Sequence, residues 1–229
     1  MKKIIALPLL LLCSHVFAQS LPVGKYSDAA MSNGYKSAVS FSFSGNFKYD
    51  SNTVNISFKG ESKAGVLSRF QGKNFLKVLY VTKFTFGDEE KTFQNVAYID
   101  PITLQVAYTV DLDAGEIGIV EQIQDHPETM LVGETIAFTK ETTTSKNDPK
   151  AVLSITDTTL SLMPVEGKNE LFEFCTNAAI YKKEDNFEAI QQAINTCVVL
   201  DKYGKKVGAF MSMTTDGLTF NLDGNIERK

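Results

Sequence analysis

The sequence predicts a mainly β protein, an antiparallel β-sandwich or barrel of about ten to twelve strands with one or two short helices near the C-terminus. Two observations favour this class: apolar and polar residues alternate along several segments, and turn signals separate these segments at intervals of about 8–12 residues. The 229 residues are 43% apolar and 22% charged, which suits a folded protein with a sizeable core.

The clearest alternation lies in residues 39–49, where every second side chain is apolar over most of the segment and the residues between are polar. This period of two predicts a strand with one buried and one wet face. Asp50-Ser51-Asn52 then supplies a turn, and the alternation resumes at Val54, Ile56 and Phe58. We expect a hairpin here.

Further strands follow between turn signals. Residues 75–86 are apolar on both sides over much of their length, which is typical of a central strand. Asp100-Pro101 and Asp113-Ala114-Gly115 predict turns, and two C-terminal hairpins are expected to turn at residues 202–205 and 215–217.

A short helix is expected between the last strands. Asp185 and Glu188 have capping-box spacing, and Phe187, Ile190 and Ile194 would share one helical face.

Residues 140–150 are the one clear break in composition, because they contain no apolar side chain except Pro149. The segment fits either a linker between domains or a long exposed hairpin end. We favour the hairpin end, and therefore a single β-rich domain over residues 19–229.

The N-terminus has the pattern of a cleavable secretory signal. Lys2 and Lys3 precede an apolar run over residues 4–13, and Val16 and Ala18 fit the small residues required before a cleavage site. We expect cleavage between Ala18 and Gln19 and an exported protein, either periplasmic or secreted to the cell surface. A membrane anchor and a lipoprotein with Cys13 as the lipidated residue are the less favoured alternatives.

Two cysteines, Cys175 and Cys197, remain after cleavage, and an even pair in an exported chain most often forms a disulfide. A redox-active or metal-binding pair is less favoured, since the spacing is not C-x-x-C and no histidine lies near either cysteine. Free thiols and intermolecular pairing also stay open.

Charge argues against several partners. The mature chain would carry 21 basic and 27 acidic side chains, a net charge of −6, without a basic stripe. We therefore expect no nucleic-acid partner and no electrostatic docking to anionic lipid. No apolar stretch beyond the leader is long enough to predict a transmembrane segment.

No catalytic or cofactor motif is apparent, so no catalytic residue and no cofactor are predicted. The only mature histidine, His126, lies in a polar segment that predicts an exposed loop. Asp111, Asp113 and Glu116 offer a weak calcium-loop candidate, although a hairpin turn explains the same residues.

These features favour an exported, non-catalytic binding protein of the cell envelope that holds an apolar small molecule or lipid, or a protein partner. The 16 phenylalanines and 8 tyrosines either form a core or line an apolar cavity. A surface, adhesion or assembly protein is the alternative, and a hydrolase using two carboxylates is less favoured.

Overall fold

Antiparallel strands make up almost all of the described chain, which in this computed structural model comprises residues 19–27, 38–49, 52–63, 65–215 and 217–228. The expected leader, with Ala18, and the turn residues Asp50, Ser51 and Asp216 lie outside these ranges. One four-residue helix, α1, spans Gly24–Ser27. The strands are β1 Ser20–Pro22, β2 Val39–Tyr49, β3 Asn52–Ser62, β4 Val66–Phe70, β5 Lys73–Phe86, β6 Glu89–Ile99, β7 Val106–Asp111, β8 Glu116–Gln122, β9 Thr129–Leu131, β10 Glu134–Ser145, β11 Asp148–Pro164, β12 Leu171–Lys182, β13 Ile190–Asp201, β14 Lys206–Thr215 and β15 Leu218–Arg228.

Twelve of these strands form a closed barrel. Their order is β3-β2-β15-β14-β13-β12-β11-β10-β8-β7-β6-β5, and β5 pairs in turn with β3 to complete the ring. Strand β4 pairs with the first part of β5, and β1 pairs with β9 in a separate two-stranded ribbon. The predicted fold class is confirmed, in its barrel form.

The alternation predicted for residues 39–49 separates the two faces of the barrel wall. Phe43 is 1% exposed and belongs to the main hydrophobic core, while Ser42 and Ser44 on either side of it are exposed. The register extends this division around the ring, because Phe43 lies opposite Phe58 and Gly224. Inward-facing residues therefore form the core, and the outer face of β2 and β3 is rich in Ser, Asn and Lys.

The phenylalanines of this part of the wall pack against one another. The ring of Phe58 stacks on Phe41, with centroids 5.5 Å apart, and meets Phe84 edge-on at 6.4 Å. Phe47 and Phe220 lie 4.7 Å apart across the neighbouring strands. These ring contacts join the inner faces of β2, β3, β5 and β15 into one aromatic cluster.

The first residues after the expected cleavage site close one end of the barrel, which we call the closed end. Leu21 and Val23 are 2% and 0% exposed and join the main core together with Met130 of β9. The Tyr26 hydroxyl accepts a hydrogen bond from the backbone N–H of Lys206 (3.0 Å) and donates one to the carbonyl of Gly204 (3.1 Å).

Gly204 allows its turn to lie close to Pro22 and Tyr26 of the N-terminal segment. It has a φ of +74°, which favours glycine, and a Cβ on it would lie 2.7 Å from the Pro22 ring.

Cys175 and Cys197 lie directly opposite each other on β12 and β13, with their sulfur atoms at bonding distance. The expected pairing is therefore supported. The disulfide encloses a loop with a sequence separation of 22, for which the chain-entropy treatment gives about 3 kcal/mol of stabilisation.

The helix expected over residues 187–194 is wrong. The structure has a 3-10 turn at Lys183–Asp185, then Asn186 and Phe187 with positive φ values of 52° and 61°, and then β13. Left-handed backbone stops helix growth, and pairing with β12 and β14 gives the residues of β13 their extended conformation. No helical segment within the described ranges has the length and apolarity needed to cross a bilayer.

Residues 140–150, for which the composition predicts an exposed hairpin end or a linker, form the end of the β10–β11 hairpin around Lys146 and Asn147. The segment pairs with β8 as well as within the hairpin. It is therefore part of the barrel wall.

Candidate functional site

The inner face changes from apolar to polar along β10–β13. Toward the closed end the inward-facing residues are large and buried, such as Leu160, Leu162 and Phe174. Toward the opposite end, which we call the hairpin end because the β7–β8, β10–β11 and β12–β13 turns lie there, inward positions carry partly buried threonines. This threonine belt comprises Thr139, Thr156, Thr158, Thr176 and Thr196.

The register places the belt on the core side of the wall. Thr158 lies opposite Thr139 on one side and Ala178 on the other, and Thr176 lies opposite the fully buried Leu160. Threonine and alanine are smaller than the leucines and phenylalanines of the closed end. The threonines therefore add hydroxyl groups to an inner face that also carries Ile180 and Ile194 in this region.

Glu141 lies within this polar region, on β10 opposite Thr156 of β11 and Val120 of β8. Its Oε1 accepts a hydrogen bond of 2.6 Å from the hydroxyl of Thr109 on β7. The contact reaches over β8, which lies between the two strands. The carboxyl group on β10 is thus bound by a residue of β7 across the intervening strand β8.

Gly118 of β8 makes this contact possible. A Cβ on Gly118 would lie 1.9 Å from Glu141 Oε1 and 2.3 Å from the Thr109 hydroxyl oxygen. The space that any larger residue would fill is occupied by the carboxyl–hydroxyl pair. The absence of a side chain at this position is thus part of the site.

The environment of Glu141 disfavours its charge. Burial raises the pKa of the Glu141 carboxyl, and the hydrogen bond from Thr109 opposes this by a smaller amount. Within the described part of the chain, no lysine or arginine forms an ion pair with it. The Tyr80 phenol, also inward-facing, has a raised pKa because of burial, so it stays protonated at neutral pH.

The calcium-loop candidates lie in the β7–β8 hairpin. Asp111 Oδ1 accepts hydrogen bonds from the backbone N–H groups of Asp113 and Ala114, and Asp113 Oδ2 accepts one from Gln94. Glu116 begins β8 opposite Asp111. The Asp111 carboxylate thus stabilises the turn, and the Asp113 carboxylate joins the turn to β6. Within the described ranges, no group of three or more His, Cys, Asp or Glu is arranged to hold a metal.

His126 differs from the exposed loop residue expected. It is partly buried, and its ring meets that of Phe138 edge-on with centroids 4.5 Å apart. Phe138 belongs to the main core, so the loop after β8 folds onto the barrel.

Sequence reasoning missed Glu141 because it lies in the polar segment 140–150, whose composition is that of a solvent-exposed stretch. A carboxylate among threonines has no apolar neighbour to mark it as inward-facing. The available signal was the alternation of Glu141 and Thr143 with Lys140 and Thr142, which becomes informative once the segment is known to be strand.

Fold and site together define a closed antiparallel β-barrel with a carboxyl group on its inner face. No protein-family model matches this chain, and no curated protein shows significant similarity to it. Among solved structures, a protein from Nitrosomonas europaea described as "a putative AttH" is 11% identical, with 82% of this chain and 68% of that chain covered and a TM-score of 0.22. A TM-score this low establishes neither a shared fold nor a shared function.

Replacing Glu141 with Gln tests the cost of burying this carboxyl. Because the folded-state pKa is raised, the folded chain holds the proton more tightly than the unfolded chain, and wild-type stability falls as pH rises above the unfolded value. At about pH 8, E141Q should therefore unfold at higher urea concentration than wild type. At about pH 4 the two should agree within about 0.5 kcal/mol.

Asp111, Glu116 and Lys182 occupy other inward-facing register positions near this region, and all three residues are the same in both proteins. Glu121→Gln, an exposed change on the outer face of β8, is the control and should match wild type at both pH values. An E141Q protein that is less stable than wild type at pH 8 would contradict the assignment.

Proposed function

We propose that the chain is an exported, non-catalytic binding protein whose barrel interior holds an apolar small molecule or lipid with a polar group. The observation that carries this proposal is the division of the inner face between an apolar closed end and the threonine belt with Glu141. Barrels hold a small ligand where inward side chains do not fill the interior, with few polar groups fixing its orientation.

Apolar side chains beside the threonine belt could contact the apolar part of a ligand. Ile194 and Met213 face inward beside Ala178, one step along the strands from the row that contains Glu141. A ligand with its polar end at Glu141 would place its apolar portion against the partly buried Ile194 and Met213. Burial of its apolar surface would supply most of the affinity.

Paired substitutions on β12 test this proposal. Ala178 faces inward opposite Thr158 and Ile194, whereas Ala179 faces outward opposite Asp157 and Ala193. Ala178→Phe should weaken binding of the fluorescent apolar probe N-phenyl-1-naphthylamine about tenfold or more by filling the interior, and Ala179→Phe should leave it unchanged.

Fluorescence titration measures the affinity, and circular dichroism melting checks that both variants fold. Absence of probe binding to the wild-type protein, or equal loss in both variants, would contradict binding inside the barrel.

Export is supported by the leader pattern and by the position of the expected cleavage site relative to the fold. The carbonyl of Gln19 accepts a hydrogen bond from Val132, and β1 begins at Ser20. A cut after Ala18 would therefore leave the segment that closes the barrel intact. The Cys175–Cys197 disulfide suits an oxidising compartment.

Expression of the full chain in a bacterial host should yield a periplasmic protein whose intact mass corresponds to residues 19–229. Ala18→Arg should block cleavage, because the site requires a small residue, whereas Gln19→Ala should be processed normally. Recovery of unprocessed chain beginning at Met1, or a cut within the buried segment after Leu21, would contradict the proposal.

An assembly role is a second candidate, carried by β4. In the described chain this strand pairs with β5 alone, and its Val66 and Leu67 are 61% and 69% exposed. An open strand edge with exposed apolar side chains is a template for pairing with another chain.

Sedimentation of the mature protein tests the assembly role. Self-association that Leu67→Lys abolishes, and that Leu131→Lys on β9, a strand that pairs with β1, preserves, would support assembly. A monomer at all concentrations would count against it.

A further inference from the structure

One oxygen of the Glu141 carboxyl group has a hydrogen-bond partner in the described protein, and the other oxygen has none. Oε1 accepts the 2.6 Å hydrogen bond from Thr109, while Oε2 has no hydrogen-bond partner among the described residues. The missing side chain of Gly118 leaves room for this arrangement and for no bulkier residue. One oxygen is thus anchored by the wall, and the other is available to a group inside the barrel.

The surrounding charges do not neutralise this carboxylate. Asp111 and Glu116, the acidic residues at inward-facing register positions on β7 and β8, add negative charge at the hairpin end. Lys182 occupies an inward-facing position at the end of β12, but in the described chain it forms no ion pair with Glu141. A largely buried carboxylate without a counter-charge is less stable than one in open water, and a cation that binds to it offsets part of that cost.

The residues beside Glu141 suit an ammonium group. A primary ammonium has three N–H donors, and hydroxyl oxygens are good acceptors for those that the carboxylate does not take. Thr156 lies directly opposite Glu141, and Thr158 and Thr139 follow in the next inward row. One carboxylate with several hydroxyls around it offers acceptors for all three donors.

The apolar end of such a ligand also has a surface to contact. The row containing Thr158 continues through Ala178, Ile194 and Met213, which are partly buried. The next row toward the closed end contains Leu160, Met211 and Leu222, which are buried in the main core. The hydrocarbon portion of a cation at Glu141 would therefore contact Ala178, Ile194 and Met213.

We propose that the ligand of the barrel is a cationic amphiphile, a long-chain primary amine or a molecule that presents one, with its ammonium group bound by Glu141. This inference rests on the proposed binding function and assigns the chemical class of the ligand. It makes Glu141 the residue that selects ligand charge, and Gly118 and Thr109 the residues that position its carboxyl group.

Three probes of equal chain length test the assignment by isothermal titration of the mature protein at neutral pH, below their micelle concentrations. Dodecylamine carries a positive charge, dodecanol none, and dodecanoate a negative charge. Wild type should bind dodecylamine at least about tenfold more tightly than dodecanol, and it should bind dodecanoate most weakly. The E141Q variant should bind dodecylamine and dodecanol with equal affinity, and its dodecanol affinity should be that of wild type.

Glu173→Gln is the matched control. Glu173 lies on the outer face of β12, opposite Met163 and Val199, and burial raises the pKa of its carboxyl as well. The control removes the same charge from this acidic protein without touching the interior. The Glu173→Gln protein should keep the full preference for dodecylamine, which separates a specific site from general attraction of amines.

A second pair of variants tests the geometry while retaining every charge. Gly118→Ala would push the Glu141 carboxyl away from Thr109, and it should reduce the dodecylamine preference several-fold. Gly208→Ala on β14 is its control, since the nearest atom to the added Cβ is 3.9 Å away, and it should behave as wild type.

The outcomes distinguish the proposed binding function from the proposed charge of the ligand. If none of the three probes binds, the binding function itself fails. If dodecanol binds as tightly as dodecylamine, or if E141Q keeps the preference for dodecylamine, the barrel still binds apolar molecules but the assignment of a cationic ligand is overturned. Tight binding of dodecanoate would overturn it equally.

Discussion

The pairing of β3 with β5 is the constraint on which the rest of the structure depends. Seven residue pairs, from Ile56 opposite Phe86 to Ser62 opposite Tyr80, join the two ends of the twelve-strand sheet. Closure removes the free edges of the ring and gives the wall an inside and an outside. Burial inside this wall raises the pKa of the Glu141 carboxyl.

Closure of the barrel also explains why the segment from Gln19 to Tyr26 packs over one of its ends. A closed ring still has two ends, and β1, β9 and Tyr26 cover one of them with Leu21 and Val23 in the core. The apolar residues of β10–β15 nearest that end are accordingly the most buried. Toward the hairpin end, β10–β13 carry Thr139, Glu141, Thr156 and Gln192 on their inner face beside Ile180 and Ile194, while β2 and β15 carry Phe47 and Phe220. Glu141 and the threonine belt thus lie toward the end opposite to the one that β1 and β9 cover.

Much of the wall was predictable from sequence because its signals are local. The alternation in residues 39–49, the turns at Asp113-Ala114-Gly115 and Lys202–Lys205, and the pairing of Cys175 with Cys197 all depend on neighbouring residues or on one covalent rule. A choice between sandwich and barrel depended instead on β3 meeting β5, and no local pattern encodes that contact.

The incorrect helix prediction and the failure to identify Glu141 have the same origin. The capping-box spacing at Asp185 and the apolar residues after it satisfy a helical rule locally, yet that stretch lies between β12 and β14, whose hydrogen bonds it completes as a strand. Glu141 has the sequence surroundings of an exposed residue because a strand that faces a polar interior has no apolar periodicity. Its significance emerges only when Thr109, 32 residues earlier in the chain, is placed beside it across β8.

Glu141 and Gly118 each lower the stability of the folded state, and the fold alone does not require either residue. A buried carboxyl without a counter-charge destabilises the folded state relative to a neutral side chain of the same shape. Glycine within a strand lowers stability relative to most residues, since it forfeits packing and conformational restriction. A barrel selected only for stability would replace both. Gly118 leaves the space in which the Glu141 carboxyl meets Thr109, and two such costs at one point on an inner wall are the pattern expected where stability is exchanged for binding. That coincidence, more than the presence of a carboxyl group, distinguishes this position from the turn-forming aspartates of the β7–β8 hairpin.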